Sequence, residues 1–148
     1  LLAAIARFSL QTSARNQLFG TLVHRDAERV QQHVDVLLAD GQTRLKAALT
    51  RQSADRLQLS AGKEVLLLIK APWIDVSREP SNADNQLPCA ISAIERGEQQ
   101  SEVLMRLGSG ETLCATLSNQ QVEQQNLQPG AAVIAHFNAD RVIIATLL

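Results

Sequence analysis

The chain has 148 residues, a net charge of −1 and an apolar fraction of 45%, which suits one ordinary packed domain or two very small ones. Because the charge balance is slightly acidic and aromatic residues make up only 3%, the composition argues against binding nucleic acid by a basic surface or by base stacking. The longest apolar run is about six residues against the roughly twenty that a membrane helix needs, and no secretory pattern is visible.

The first predicted element is a helical segment at residues 1–12, where Leu1, Leu2, Ile5 and Phe8 follow helical spacing. Two interpretations stand equally: the end of a linker helix from an absent N-terminal domain, or a cap on the domain that follows. Since the chain opens with Leu rather than Met, we expect it to be a piece of a longer protein.

Short strands separated by turns are predicted from residue 16 onward. The runs NQLFGTLVHR, VQQHVDVLLA and QTRLKAALT alternate in part between apolar and polar residues, and Asp40-Gly41 between the last two is a strong hairpin signal. The apolar run EVLLLIK predicts a buried strand. Before it, the polar segment Thr50–Leu59 has helical character and opens with a hydroxyl residue that can cap a helix.

The second half of the chain repeats this pattern. SARNQLFG and SNADNQLP share NQL, and Asn16 and Asn85 lie 69 positions apart (85 − 16). Gly62 then aligns with Gly130, and the helical segment has its counterpart in Ser118–Leu127. Two copies of this length indicate a tandem duplication of a small domain rather than a solenoid.

Each repeat contains four or five predicted strands and one short helix in about 65 residues, which fits a small closed barrel of the OB type. We therefore predict a mainly all-β chain of two tandem OB-like five-stranded barrels, each with one short helix. The polar, proline-bearing segment Ser77–Asp84 reads as the joint between them.

Hydrogen-bond donors in the first repeat form a candidate anion site. Thr50 and Ser53 bracket the first turn of the predicted helix, where backbone N–H groups lack partners. Lys70 closes a buried strand, and Arg15 with Ser13 precedes the first strand. The alternative is that these residues are only a helix cap, a surface hydroxyl and solvated strand ends.

The second repeat has different side chains at four of these positions. Ser118, Gln121, Asn138 and Asp84 stand where the first repeat has Thr50, Ser53, Lys70 and Arg15. Both cations are missing and one is replaced by an acid. A purely structural role should be shared by both copies, so this difference favours a ligand site in the first repeat.

The SARN run, a glycine-bounded strand, a T-x-x-S helix start and a strand ending in KA resemble the Mop domains, a TOBE-related family that binds molybdate or tungstate. The resemblance covers residues 13 to about 148, and two such units in tandem are similar to a di-Mop module. It implies a first Mop domain at 13–80 and a second at 81–148. A di-Mop module of this kind forms the C-terminal half of molybdate-responsive transcriptional regulators, so residues 1–12 are expected to lead in from an absent DNA-binding domain.

The resemblance also implies a site for the tetrahedral dianion between the subunits of a homodimer. The implied molybdate-binding groups are Ser13, Arg15, Thr50, Ser53, Lys70 and the backbone N–H of Ala71. Ser13 and Arg15 are expected from one subunit and the others from its partner. Because Asp84 and Asn138 depart from the family pattern, the second repeat is expected to serve packing, dimer contact and signal transmission.

The chemistry of these groups agrees with such a ligand, because every implied contact is a donor and none is a carboxylate. A fully deprotonated oxyanion has only acceptors, whereas hydrogen phosphate carries a proton that a shell of donors leaves unpaired. Sulfate also carries only acceptors, so this argument does not exclude it, and the site would have to exclude sulfate by its size. No residue is predicted to ligate a metal directly: Cys89 and Cys114 read as buried thiols of a reduced, cytoplasmic protein.

The function implied is molybdate or tungstate sensing for a transcriptional regulator, with DNA contacted only through an N-terminal domain absent from this chain and no membrane partner. Two alternatives remain open, a cytoplasmic molybdate storage protein and the accessory domain of a molybdate transporter ATPase. An enzyme is not expected, since no nucleophile–base pair or phosphate loop appears. Trp73, three residues past Lys70, is expected to fill the core or rim and to lie near enough to report binding.

Overall fold

The computed structural model describes residues 12–146. The helix predicted at residues 1–12 therefore lies, apart from Thr12, outside the described residues. Within them, no helix is long and apolar enough to cross a membrane.

Residues 12–146 contain ten strands and two short α-helices, which follow one another in two similar series. The first series is β1 (Asn16–Arg25), β2 (Gln31–Leu38), β3 (Arg44–Thr50), helix α1 (Arg51–Arg56), β4 (Glu64–Ile69), a 3-10 turn (Ala71–Trp73) and β5 (Asp75–Ser77). The second series is β6 (Asn85–Arg96), β7 (Gln100–Leu107), β8 (Thr112–Ser118), helix α2 (Asn119–Gln124), β9 (Ala132–Phe137), a 3-10 turn (Ala139–Arg141) and β10 (Ile143–Ala145). The predicted mainly-β class, with five strands and one short helix per series, is confirmed.

The strands form two five-stranded sheets, and each sheet contains four strands from one series and one strand from the other. One sheet has the order β10-β4-β1-β2-β3 and the other β5-β9-β6-β7-β8. The short strand that ends each series thus pairs with the sheet of the other series: β5 with β9, and β10 with β4. The two sequence repeats exchange their last strands.

The compact units follow the sheets and not the repeats. Among the described residues, the first unit runs to Ile69 and resumes at Asn138, and the second unit is Lys70–Phe137. The chain therefore passes from one unit to the other at the start of each 3-10 turn. The polar segment Ser77–Asp84 lies inside the second unit.

Each unit is held together by the inward faces of its strands. In the first unit, Leu18, Leu22, Val34 and Val36 alternate with more exposed neighbours and are at most 1% exposed. Gly20 lies between the two leucines, where a Cβ atom would come within 2.7 Å of the carbonyl oxygen of Leu37. The close approach of β1 and β2 therefore requires glycine at this position.

The predicted turns and caps are present where the sequence placed them. Gly41 has φ +72°, and the carboxylate of Asp40 accepts hydrogen bonds from the backbone N–H of Thr43 and of its neighbour, closing the β2–β3 hairpin. Both helices are shorter than predicted. Two residues past their last turns, Gln58 and Asn126 adopt positive φ, which stops helical propagation.

Candidate functional site

One group of predicted site residues lies where β1 begins beside the end of β4. Asn16 pairs with Ile69 in the antiparallel ladder, and its buried side-chain amide donates to the Ile69 carbonyl at 3.1 Å. Arg15 and Ser13, just before Asn16, are exposed. Lys70 directly follows Ile69, so both cations flank the same end of this strand pair.

The side chain of Lys70 rests against an aromatic ring. Its ammonium nitrogen lies 5.3 Å from the centroid of the Trp73 ring, within the range of a cation–π interaction. The 3-10 turn that carries Trp73 begins at Ala71 and is closed by a hydrogen bond from the Trp73 N–H to the Lys70 carbonyl, 3.0 Å long. Lys70 thus presents an exposed ammonium group with restricted freedom.

The second group lies at the N-terminus of α1, directly after β3. Thr50 is the N-cap, as predicted: its hydroxyl oxygen accepts from the Ser53 N–H at 3.1 Å. The Thr50 hydroxyl also donates to the hydroxyl oxygen of Ser53 at 3.0 Å. Thr50 is exposed and Ser53 partly so, which leaves a pair of linked hydroxyls at the positive end of a short helix.

Arg25 anchors this helix and was not identified from the sequence. Its guanidinium donates to the side-chain oxygen of Gln32 at 2.7 Å, to the Leu59 carbonyl at 3.1 Å and to the carboxylate of Asp55 at 2.5 Å. The first of these acceptors belongs to a side chain that is 3% exposed. One side chain therefore ties β1 and β2 to α1, and only the charge of Arg25 at a strand end hinted at it.

The strand register places these two groups at opposite ends of the first unit's sheet. Asn16 begins β1 and Arg25 ends it nine positions later, paired with Val34. Thr50 pairs with Gln31, three positions farther in the same direction. At about 3.3 Å per position, the two ends are roughly 40 Å apart along the curved strands. The register therefore separates Arg15 from the Thr50–Ser53 pair along the strands of this sheet, and Lys70 and Ala71 are the first residues of the second unit.

The corresponding helix end of the second unit is chemically different. Ser118 is the N-cap of α2, as predicted, and accepts from the Gln121 N–H at 3.1 Å. The side-chain amide of Gln121 donates to the Asp75 carboxylate at 2.6 Å. Ser118 thus matches Thr50, but Gln121 with a carboxylate beside it stands where the first unit has the Ser53 hydroxyl, and a carboxylate repels an anion.

No cluster of metal-ligating side chains occurs among residues 12–146. Cys89 and Cys114 are buried free thiols. Burial raises the pKa of the Cys89 thiol to about 11, so it stays protonated and is a poor metal ligand or nucleophile near neutral pH.

Comparison with known proteins gives one family and several full-length matches to this chain. The family model described as the TOBE domain matches twice, at residues 12–76 and 81–144. The transcriptional regulator ModE of Yersinia pestis is 63% identical over 150 residues, covering 99% of this chain and 57% of that protein. The DNA-binding transcriptional dual regulator ModE of Escherichia coli K12 is equally similar, with 56% of its length covered.

A solved structure, the cytoplasmic molybdate-binding protein ModG with molybdate bound, superposes with a TM-score of 0.90 at 34% identity. It covers 93% of this chain, and all of that protein is matched. The present chain spans little more than half the length of the ModE regulators that it matches.

Proposed function

The chain belongs to the TOBE domain family, and on that premise we propose that it is the molybdate-sensing part of a transcriptional regulator. Tungstate, which has the same charge and shape, is a second ligand. The family match over both repeats and the 63% identity to two ModE regulators support the regulatory role. The molybdate-bound ModG structure supports the ligand.

The observation that carries the site is the separation of its donors within one sheet. Arg15 and Lys70 lie at one end of the β1–β4 pair, whereas Thr50 and Ser53 follow the far end of β3. A tetrahedral oxyanion spans only a few ångströms, so one copy of this sheet leaves each donor group half complete. We infer that a second copy of the chain supplies the missing half.

In this arrangement Ser13, Arg15, Lys70 and the N–H of Ala71 come from one subunit, and Thr50 and Ser53 from its partner. The family resemblance instead implies that Lys70 and Ala71 come from the same subunit as Thr50 and Ser53. The pairing of Asn16 with Ile69 favours the new division, because Lys70 continues the strand that lies beside Arg15. A two-fold homodimer then holds two equivalent sites.

The chemistry of binding follows from the donors. Arg15 and Lys70 supply charge-assisted hydrogen bonds to the dianion, which are the stronger kind. The linked hydroxyls of Thr50 and Ser53 add neutral donors from the partner. Because the ligand would bridge two chains, it binds the assembled dimer better than the separate subunits and shifts the population toward it. That shift is the signal that a regulator passes to DNA-binding domains.

The remaining expectations complete this proposal. The relatives are named as regulators and as a molybdate-binding protein, which supports a binding module rather than an enzyme. DNA would be contacted only by a domain outside this chain. The cytoplasmic location of ModG supports the same location here, and the family matches support two sequence domains at 13–80 and 81–148.

The test is calorimetric titration of the chain with sodium molybdate, then with sulfate and phosphate at equal ionic strength. We expect saturable molybdate binding at micromolar concentration or below, one ion per chain, and none with the other anions. Lys70→Ala and Arg15→Ala should each weaken binding at least about tenfold, or about 1.4 kcal/mol. Asp84→Ala, at the position equivalent to Arg15 in the second repeat, is the matched control and should leave affinity unchanged.

Three results would count against the proposal. If calorimetry detects no binding of molybdate, the assignment of this ligand is wrong. If both the Lys70 and the Arg15 variants bind molybdate with near-native affinity, the assignment of the site residues is wrong. If sedimentation shows that the chain is a monomer while it binds one ion, the site does not lie at an interface between two subunits.

A further inference from the structure

The strand that follows the Lys70 turn is held in place by side chains of helix α2. The amide nitrogen of Gln121 donates to the Asp75 carboxylate at 2.6 Å and lies 3.4 Å from the Val76 carbonyl oxygen. Gln125, one turn later, donates to the same carbonyl at 3.2 Å. Gln121 of α2 and Gln125, which directly follows the helix, therefore hold Asp75 and Val76 of β5 by side-chain hydrogen bonds. We call these contacts, together with those of Arg78, the grip.

The second half of this segment is tied to the other end of α2. Arg78 donates to the carbonyl oxygens of Gln125 at 3.0 Å and Asn126 at 2.7 Å. These carbonyls follow the last turn of the helix, where orphan acceptors and partial negative charge favour a cation. Ser77, between these two sets of contacts, has its hydroxyl 2.9 Å from the buried ring of His136 on β9. Residues 75–78 are thus fixed along their whole length.

Among residues 12–69 and 138–146, which are the described part of the first unit, the side chains that form this grip are replaced by other types, although the same strand and helix are present. At the offset of 68 residues, β10 presents Ile143 where β5 has Asp75. Helix α1 has Ser53 in place of Gln121, and Leu57 stands in place of Gln125. Isoleucine and leucine side chains have no hydrogen-bonding groups. The grip is therefore not required by the fold, since the first unit forms its closing strand without it.

What distinguishes the gripped strand is the turn before it. Lys70 and Ala71, two of the proposed molybdate ligands, are the N-cap and the first residue of the 3-10 turn that only Ile74 separates from β5. Ile74 is 1% exposed and anchors the turn from the core side. The corresponding turn of the other repeat begins at Asn138 and carries no cation at that position. The grip therefore occurs in the second unit, which contains the turn that carries Lys70 and Ala71.

We propose that Gln121, Gln125 and Arg78 are positioning residues for the oxyanion site, holding the Lys70–Trp73 turn in its binding geometry before the ligand arrives. This inference rests on the proposed function. A turn that is already ordered loses less conformational freedom on binding, and the ligand affinity rises accordingly. The helix of the second repeat thus serves the site by orienting Lys70 and Ala71 instead of by contacting the ion.

The test uses the full chain with Gln121→Met and Arg78→Met together, which removes four of the donor contacts; methionine keeps the length of the Gln121 side chain and replaces only the apolar stem of Arg78. The acceptors released are a carboxylate with 56% exposure and backbone carbonyls at the helix end, which water can satisfy in part. Glu123→Gln is the matched control: Glu123 lies on the same helix and pairs with Arg96, away from β5.

By calorimetry with sodium molybdate, we expect the double variant to bind roughly three- to tenfold more weakly, as the loss of a few modest hydrogen bonds implies. The control should stay within about twofold of the unmodified chain. Hydrogen–deuterium exchange without ligand should quicken at residues 71–78 in the double variant only, and saturating molybdate should reverse that change.

Each outcome decides between the two proposals. Equal affinity in the double variant and the control, with faster exchange at 71–78, would show that binding does not need the grip and would overturn this inference alone. Unchanged exchange would overturn it as well. If the double variant does not fold, Gln121→Met alone is measured, with an expected loss of about twofold. No binding by the unmodified chain would instead overturn the proposed function.

Discussion

Replacing Trp73 with leucine tests whether the aromatic ring holds Lys70 ready for the oxyanion. The Lys70 ammonium lies 5.3 Å from the ring centroid, and Lys70 is exposed while Trp73 is half-buried. A cation–π contact in such surroundings stabilises by about 0.5–1 kcal/mol. The ammonium has three donors, so it can keep this contact while it binds the ligand.

From that magnitude, we expect Trp73→Leu to weaken molybdate binding about two- to fivefold. Trp73→Phe, which keeps a ring with a weaker quadrupole, should lie between the leucine variant and the unmodified chain. Calorimetry is the assay, because the variants lack the only tryptophan and fluorescence cannot follow them.

A double-mutant cycle with Lys70→Met separates this contact from loss of packing. If the ring acts through Lys70, Trp73→Leu should have little effect once the ammonium is gone. An equal loss of affinity in both backgrounds would refute the reasoning and assign Trp73 a packing role. Tighter binding by Trp73→Leu would also refute it, since the ring would then compete with the ligand for the ammonium.

Two further predictions concern stability. Gly20→Ala should lower the free energy of unfolding by about 1–3 kcal/mol, because its Cβ meets the Leu37 carbonyl; Gly108→Ala, where a Cβ meets nothing within 4 Å, is the control, and equal urea midpoints would contradict the account. The raised pKa of Cys89, about 11 against 9.0 in the unfolded chain, means that the unfolded state loses the thiol proton first as pH rises. Stability should therefore be fully present below pH 9 and fall between pH 9 and 11, and Cys89→Ala should flatten that part of the curve.

Local features were predictable from the sequence because their causes lie within a few residues. The Asp40-Gly41 hairpin needs only a residue that accepts positive φ and a carboxylate that closes the turn. The caps at Thr50 and Ser118 need only a hydroxyl before a polar helical segment. The repeated NQL also had a local cause: Asn16 and Asn85 are both buried at the start of a long strand.

The exchange of the last strands was not predictable, because pattern reveals that a segment is a strand without revealing its partner. The edge of β4 and the edge of β9 offer the same ladder to β5 and to β10, and three-residue strands carry little register information. The division of the site between subunits also depends on which strands pair. The family resemblance implies that Lys70 and Thr50 share a subunit, whereas the pairing of β1 with β4, which sequence pattern does not reveal, supports our proposal that Lys70 acts with Arg15.

The exchanged strands also bear on how a protein of this kind arises. A single repeat that kept this pairing would leave the edge of β4 or β9 exposed, so two such polypeptides would exchange their last strands to complete each other. When the gene is duplicated and both copies are translated as one chain, the exchange of strands between two molecules becomes an exchange within one molecule. The covalent link replaces dilution-sensitive pairing by a fixed effective concentration. Once the copies are joined, their sequences are free to diverge, and one can keep the arginine and lysine while the other evolves the glutamines that orient them.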